Sequence, residues 1–180
     1  MNVHGFRLID GVRVYEGKKN LDERGYFAEL LRDDWRDFLG DDHIPQFNLA
    51  YSYPGIIRAW HRHNKGQNDY FACLNGSVKV CAYDDRKDSA TQGELDEIIL
   101  NGKERLQVAR IVGTCWHGYK VVSSEPALIL YGVSRLYDAK APDEERRAWD
   151  DRTLIPTSIN GRRDDPKLGR SYDWNYLPHK

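Results

Sequence analysis

Three of the six histidines fall in segments with strand character: His61 and His63 in Gly55-Ile-Ile-Arg-Ala-Trp-His61-Arg-His63, and His117 in Val112-Gly-Thr-Cys-Trp-His117-Gly-Tyr119. Imidazole can accept or donate a proton near neutral pH, and it can give a lone pair to a metal. Residues two apart on a strand share a face, so His61 and His63 point the same way. A hairpin about Asn75-Gly76 sets Cys73 against Val78, Phe71 against Val80 and Asp69 against Ala82, with Asp84 on the same apolar face. A carboxylate aimed into such a face costs several kcal/mol unless it meets a cation, a proton or hydrogen-bond donors. Asp69 therefore needs a partner, and the histidines are the candidates. Asp84 fits equally well as a strand-end or turn residue before Asp85-Arg86.

The elements that must position these groups read as strands. Short β-branched and aromatic runs are separated by Gly, Asn, Asp and Pro at the spacing of an all-β sandwich or barrel. Asn101-Gly102 repeats the hairpin signal between Leu95–Leu100 and Leu106–Ile111, and Val121–Ser123 with Ala127–Ser134 suggests a further pair, so the strands read as an antiparallel meander. Leu30, Leu31, Trp35, Phe38 and Leu39 recur at helical spacing and predict one helix over 28–39, closed by Gly40 and packed on the outside of the barrel. The stretch after Pro156 is rich in Gly, Arg, Asp and Pro, yet Tyr172, Trp174, Tyr176 and Leu177 give it too much apolar area for a free linker. It is expected to dock on the domain.

At 180 residues, with 40% hydrophobic side chains, the chain can fill one core and is short for two. Lys plus Arg number 27 and Asp plus Glu 28, which leaves no net field to hold a nucleic-acid backbone or an anionic membrane. No apolar run approaches the roughly 20 residues that span a bilayer, so a soluble, cytoplasmic protein is expected. Cys73, Cys81 and Cys115 have no CxxC spacing and are read as reduced, buried small hydrophobes.

Gly55-x5-His61-x-His63 followed by Asp69-x6-Gly76 resembles the first cupin motif, with Asp in place of the usual Glu, and His117 stands where the second motif supplies its histidine. That resemblance implies an all-β double-stranded β-helix, or jelly roll, with a few short helices and a site inside the barrel. It also raises one alternative: a metal-dependent enzyme in which His61, His63, Asp69 and His117 bind a divalent ion such as Zn, Fe or Mn.

A narrower resemblance runs over nearly the whole chain, to the dTDP-4-dehydrorhamnose 3,5-epimerase family. Asp22-Glu-Arg24-Gly25-Tyr-Phe27-Ala-Glu29 is similar to its DxRGxFxE segment, Gln46-Phe-Asn48 and Gly55-Ile-Ile-Arg58-Ala-Trp-His61 to its QxN and GVLRGLH elements, and Gly113-Thr-Cys-Trp-His117-Gly-Tyr to its PxGxAHGF strand. Glu144 and Trp149-Asp-Asp151 echo its E…WND stretch. The resemblance implies an isomerase that works without a cofactor on a nucleotide-linked 4-keto-6-deoxy sugar, in a single domain over 1–180 with an N-terminal strand-exchange segment, assembled as a homodimer. It assigns His61 as base and Tyr131 as the catalytic tyrosine. Arg24, Phe27, Glu29, Gln46, Asn48, Arg58, His117 and Tyr137 are its substrate contacts, with His117 near the diphosphate. The family lysine that stabilises the enolate falls, counting back from Gly76, on Asp69. Asp164, Asp165 and Asp173 are the candidates for the carboxylate that orients the base. With the lysine absent, a catalytically silent nucleotide-sugar-binding relative is a further alternative. Strict alternation turns Arg58 away from His61, so a bulge or a rim position is required to bring both to one site.

Overall fold

Most consecutive strands of the chain lie in different sheets, two of which face each other. The computed structural model describes residues 8–177. Its elements are β1 (Arg13–Gly17), β2 (Asn20–Asp22), β3 (Gly25–Phe27), α1 (Arg36–Leu39), β4 (Gln46–Ser52), β5 (Ile57–Arg62), β6 (Asp69–Asn75) and β7 (Ser77–Tyr83), followed by β8 (Glu94–Asn101), β9 (Leu106–Ile111), β10 (Trp116–Val121), β11 (Ala127–Val133), β12 (Glu145–Arg146) and β13 (Ser158–Ile159). One sheet has the order β1-β9-β6-β11-β4 and the other β12-β5-β10-β7-β8-β13, while β2 and β3 form a separate hairpin. This is the expected jelly roll.

The meander is not. β6 pairs with β11 and β9, whereas β7 pairs with β10 and β8, so Asn75-Gly76 carries the chain from one sheet to the other. The same holds at Asn101-Gly102 and at 122–126. The positive φ that made these dipeptides look like hairpin turns is real at Gly76, at +72°. It serves a crossing, because the inward side chains of both strands bury more area by facing each other across the core than by lying in register. Phe71 and Cys73 of β6 meet Val78, Val80 and Ala82 of β7 in one buried cluster with Ile98, Leu100, Ile111, Val121 and Ile129. All three cysteines are free and buried.

The predicted helix over 28–39 shrinks to the single turn α1. Asp33 and Asp34 are poor interior helix residues, and their carboxylates are taken by Arg36 and Arg32. The apolar residues still reach their target: Leu30, Leu31, Trp35, Phe38 and Leu39 pack on Tyr70, Ala72 and Val108, the outward positions of β6 and β9. On the other side, Tyr172 and Trp174 bury with Trp60, Cys81, Leu95 and Trp116 against the outer face of the second sheet. Among the described residues no helix is long and apolar enough to cross a membrane.

Candidate active site

Between the sheets, at the end where β5 leaves and β6 enters, lies a cavity of about 940 Å³ lined by β4, β5, β6, β11 and the 135–149 segment. β5 and β10 bring His61 opposite His117, then Arg58 opposite Tyr119, so β5 carries one residue more than β10 over that interval. This bulge is the device that lets Arg58 and His61 line the same cavity. Gly118 makes it feasible, since a Cβ there would lie 2.4 Å from the Arg58 carbonyl oxygen.

At the floor, three imidazoles surround one carboxylate. The Asp69 Oδ2 lies 3.2 Å from His117 Nε2, 3.6 Å from His63 Nε2 and 3.9 Å from His61 Nε2. His117 is fully buried, Asp69 and His63 nearly so, and the His61 side chain, 21% exposed, is the most open of the four groups. The Nδ1 of His117 meets the Cys115 carbonyl at 2.9 Å, and that of His63 bonds to the Asp143 carbonyl. Gln67 donates its amide to Asp69 Oδ1 at 2.8 Å and sits 3.2 Å from His63 Nε2.

Burial lowers the His61 pKa to about 4, with the neighbouring His117 adding to it, so this ring is neutral and able to accept a proton around pH 7. Burial also opposes a charged His63, but the Asp69 carboxylate outweighs it and raises that pKa. For Asp69 burial pushes upward, yet the imidazoles of His117, His61 and His63 hold the carboxyl well below the usual carboxylate range. The facing wall offers Tyr131, whose ring stacks on Phe71 with centroids 5.7 Å apart. Burial raises its pKa and Asp69 adds to the effect, so the phenol keeps its proton.

Gln46, Asn48, Arg58, Tyr131, Tyr137, Glu144 and Trp149 all line this cavity, as do His61, His63 and Asp69. Gln46 bridges the Asn48 side chain at 2.8 Å and the Tyr137 backbone N–H at 3.0 Å. Three expectations shift. His117, expected as a substrate contact near a diphosphate, is sealed beneath the floor with no exposed surface, because both ring nitrogens are spent inward. Arg24, Phe27 and Glu29 lie on or beside the exposed β2–β3 hairpin outside the cavity, with Arg24 paired to Asp22 at 2.5 Å and Glu29 to Arg32 at 2.7 Å. Asp164, Asp165 and Asp173 line no part of the cavity. Asp165 instead pairs with Arg162 at 2.8 Å, and the carboxylate beside His61 is Asp69. Asp84 is a turn anchor, accepting from Arg86, Ser89 and Thr91.

Sequence reasoning missed Gln67 and Asp143, which fix the floor, and Arg135, Arg146 and Arg147 at the rim. The Glu144-Glu145-Arg146-Arg147 run carried a signal of alternating charge, but nothing local says it folds over a cavity. Among the described residues Arg58, Lys65 and Arg135 line the cavity without a carboxylate partner, an uncompensated basic rim suited to an anionic group.

The family model for dTDP-4-dehydrorhamnose 3,5-epimerase matches residues 7–165. The "probable low-salt glycan biosynthesis epimerase Agl13" of Haloferax volcanii is 44% identical over 142 residues, covering 79% of this chain and 89% of that protein. The spore coat polysaccharide biosynthesis protein SpsL of Bacillus subtilis is 40% identical over 147 residues, covering 82% and 94%. Among solved structures, RmlC of Legionella pneumophila in complex with dTDP-4-keto-L-rhamnose superposes with a TM-score of 0.73 at 26% identity, covering 96% of this chain and 85% of that one.

Proposed function

Because the chain belongs to the dTDP-4-dehydrorhamnose 3,5-epimerase family, we propose that it epimerises a nucleotide-linked 4-keto-6-deoxy sugar at C3, C5 or both, as a step in glycan biosynthesis. The observation that carries this reading is the opposition of a neutral imidazole and a protonated phenol, His61 and Tyr131, on facing walls of one sugar-sized cavity.

The chemistry follows from that opposition. His61 takes the proton from a carbon next to the keto group, and the C–H electron pair moves into the ring so that the carbonyl oxygen becomes an enolate. Tyr131 delivers its proton to the other face of the same carbon, the enolate collapses to the ketone, and the configuration is inverted. Solvent then removes the proton from His61 and returns one to Tyr131. Gln46, Asn48 and Tyr137 hold the sugar by the fixed Gln46 amide, and Arg58, Lys65 and Arg135 hold the diphosphate.

A homodimer fits the remaining exposed surface. β4 is an edge strand whose outward Phe47, Leu49 and Tyr51 are 52%, 63% and 58% exposed, and the nearby sequence places Leu21, Tyr26 and Phe27 on a hairpin that is as open. Pairing of two copies through these elements buries them and gives Arg24, Phe27 and Glu29 a partner's cavity to reach. A cytoplasmic location accords with a nucleotide-sugar substrate.

The test is mass-spectrometric incorporation of solvent deuterium at C3 and C5 of a panel of nucleotide-linked 4-keto-6-deoxy sugars. Incorporation with inversion supports the reading. Tight binding by calorimetry with no incorporation on any sugar replaces it with a silent binding relative.

A further inference from the structure

The 143–149 segment walls the cavity from the edge of the second sheet and has little backbone pairing of its own. β12 meets β5 only at Glu145 opposite Arg62 and Arg146 opposite His61, and one further pair of backbone bonds joins Arg147 to Trp60. So short an edge ladder is marginal in water, and side chains decide whether the segment stays in place. At its start Asp143 ties it down, its carboxylate accepting the backbone N–H groups of Asn64 and Lys65 at 2.9 Å. Beyond that, Glu144 and Arg146 line the cavity, while the charged ends of Glu145 and Arg147 turn to the outer face of the second sheet.

On that outer face four separate parts of the chain converge: Arg62 at the end of β5, Asp85 beyond β7, Trp116 at the start of β10 and Arg147 beyond β12. The Trp116 ring is buried against Trp60, Tyr172 and Trp174, which makes it a fixed platform. The guanidinium carbons of Arg62 and Arg147 lie over it, 4.5 and 4.2 Å from its centroid. Two cations drawn to one ring repel each other, and a carboxylate shared between them offsets the repulsion. Asp85 is that carboxylate: it accepts from each guanidinium at 3.3 Å and from the Trp116 indole N–H at 2.7 Å. Arg62 also donates to Glu145 at 2.8 Å, so the segment is gripped through two of its residues.

We propose that Asp85 and Trp116 are positioning residues for the epimerisation: with Arg62 they latch Arg147 to the back of the second sheet and so hold Glu144, Arg146 and Trp149 as one wall of the sugar cavity. Asp85, Trp116 and Arg62 do not line the cavity themselves, and their effect passes through the segment they grip. The PxGxAHGF pattern has alanine immediately before its histidine where this chain has Trp116, so the latch is a property of this chain rather than of the pattern. His61 and Tyr131 do not depend on it, because β10 pairs with β5 at His61 and both β4 and β6 pair with β11 at Tyr131. Loosening the latch therefore weakens the hold on the sugar and spares the proton transfers. The effect on turnover rests on the epimerase reading, whereas the latch itself does not.

Amide hydrogen exchange of the full chain, read by mass spectrometry, measures the latch, and steady-state kinetics on a nucleotide-linked 4-keto-6-deoxy sugar measure its use. Asp85→Ala and Trp116→Leu are expected to speed exchange of the 143–149 amides by about tenfold or more while β6 and β11 keep their native rates. In both, KM should rise by about fivefold or more with kcat changed by less than about twofold. Trp116→Phe keeps an aromatic face for both guanidiniums and gives up only the indole N–H, so its 143–149 amides should stay within about threefold of the native rate. Asp85 sits at the surface, its side chain 25% exposed, and carries the test if Trp116→Leu does not fold. Native exchange at 143–149 in Asp85→Ala, equal acceleration in the Leu and Phe variants, or acceleration spread over the whole barrel overturns the latch. Faster local exchange with an unchanged KM overturns the positioning role. Absence of turnover by the native chain removes the epimerase reading instead, and the local exchange contrast still decides whether the latch exists.

Discussion

At the scale of single residues, His61 and Tyr131 divide one proton transfer into two halves that can be broken separately. His61→Asn removes the acceptor and is expected to lower kcat/KM by about 10²- to 10⁴-fold, with deuterium incorporation falling in parallel. Tyr131→Phe leaves the acceptor in place. It is expected to retain exchange at the carbon while losing inversion by a similar factor, because His61 returns the proton to the face it came from; NMR of the recovered sugar distinguishes retained from inverted product. Equal loss of both signals in Tyr131→Phe would assign the tyrosine to binding. The histidines and Asp69 were legible in the sequence because period-two alternation alone puts His61 with His63 and turns Asp69 inward. Gln67 and Asp143 were not, since what marks them is an amide to Asp69 from a residue off the strand pattern and a carbonyl that reaches His63 across 80 residues of sequence.

At the scale of elements, the bulge in β5 and the edge of β4 carry the consequences. Gly118→Ala forces a methyl to within 2.4 Å of the Arg58 carbonyl oxygen and 2.6 Å of the Ala59 Cα. It is expected to cost about 1–3 kcal/mol of stability and to lower activity as well, since the displaced segment holds both Arg58 and His61; urea unfolding and the exchange assay measure the two effects. On β4, replacing Leu49 and Tyr51 by Glu puts charge into the face proposed to join two copies, and analytical ultracentrifugation should then show monomer where the native chain is dimer. A native chain that sediments as a monomer at micromolar concentration rejects that assembly. The strands themselves were legible, but their partners were not. Asn75-Gly76 and Asn101-Gly102 have the chemistry of a tight turn, and turn chemistry fixes the local φ without saying whether the next strand lies alongside or across the core. The helix over 28–39 failed for a related reason: its apolar residues pack on Tyr70, Ala72 and Val108 from an irregular backbone, and burial of the side chains does not need the helical turn.

At the scale of the whole molecule, stability should depend on pH through a residue away from the cavity. Asp96 is fully buried, accepts the Ile9 backbone N–H at 2.8 Å through Oδ2, and has no partner for Oδ1 among the described residues. Burial pushes its pKa up to about 8, against the pull of the Ile9 hydrogen bond and with help from Glu94 and Asp84. In the unfolded chain the same carboxyl releases its proton near 3.8. Between those values the folded state holds a proton that the unfolded state lacks, so the contribution is full below about pH 4 and is lost as pH rises through about 8. Asp96→Asn keeps an acceptor for Ile9 and abolishes the slope, so its melting temperature should exceed the native value more at pH 8 than at pH 4. Thermal melts across that range decide it, and a constant difference would mean that Asp96 is ionised in the folded protein.

The position of β11 between β4 and β6 also sets an order of events during synthesis. Until residue 133 has left the ribosome, β4 has no neighbour in its sheet, and its apolar side chains wait unpaired while some eighty further residues are made. The wall that bears Tyr131 is thus completed late, from contacts distant along the chain, which favours slow closure and a nascent state that depends on chaperones.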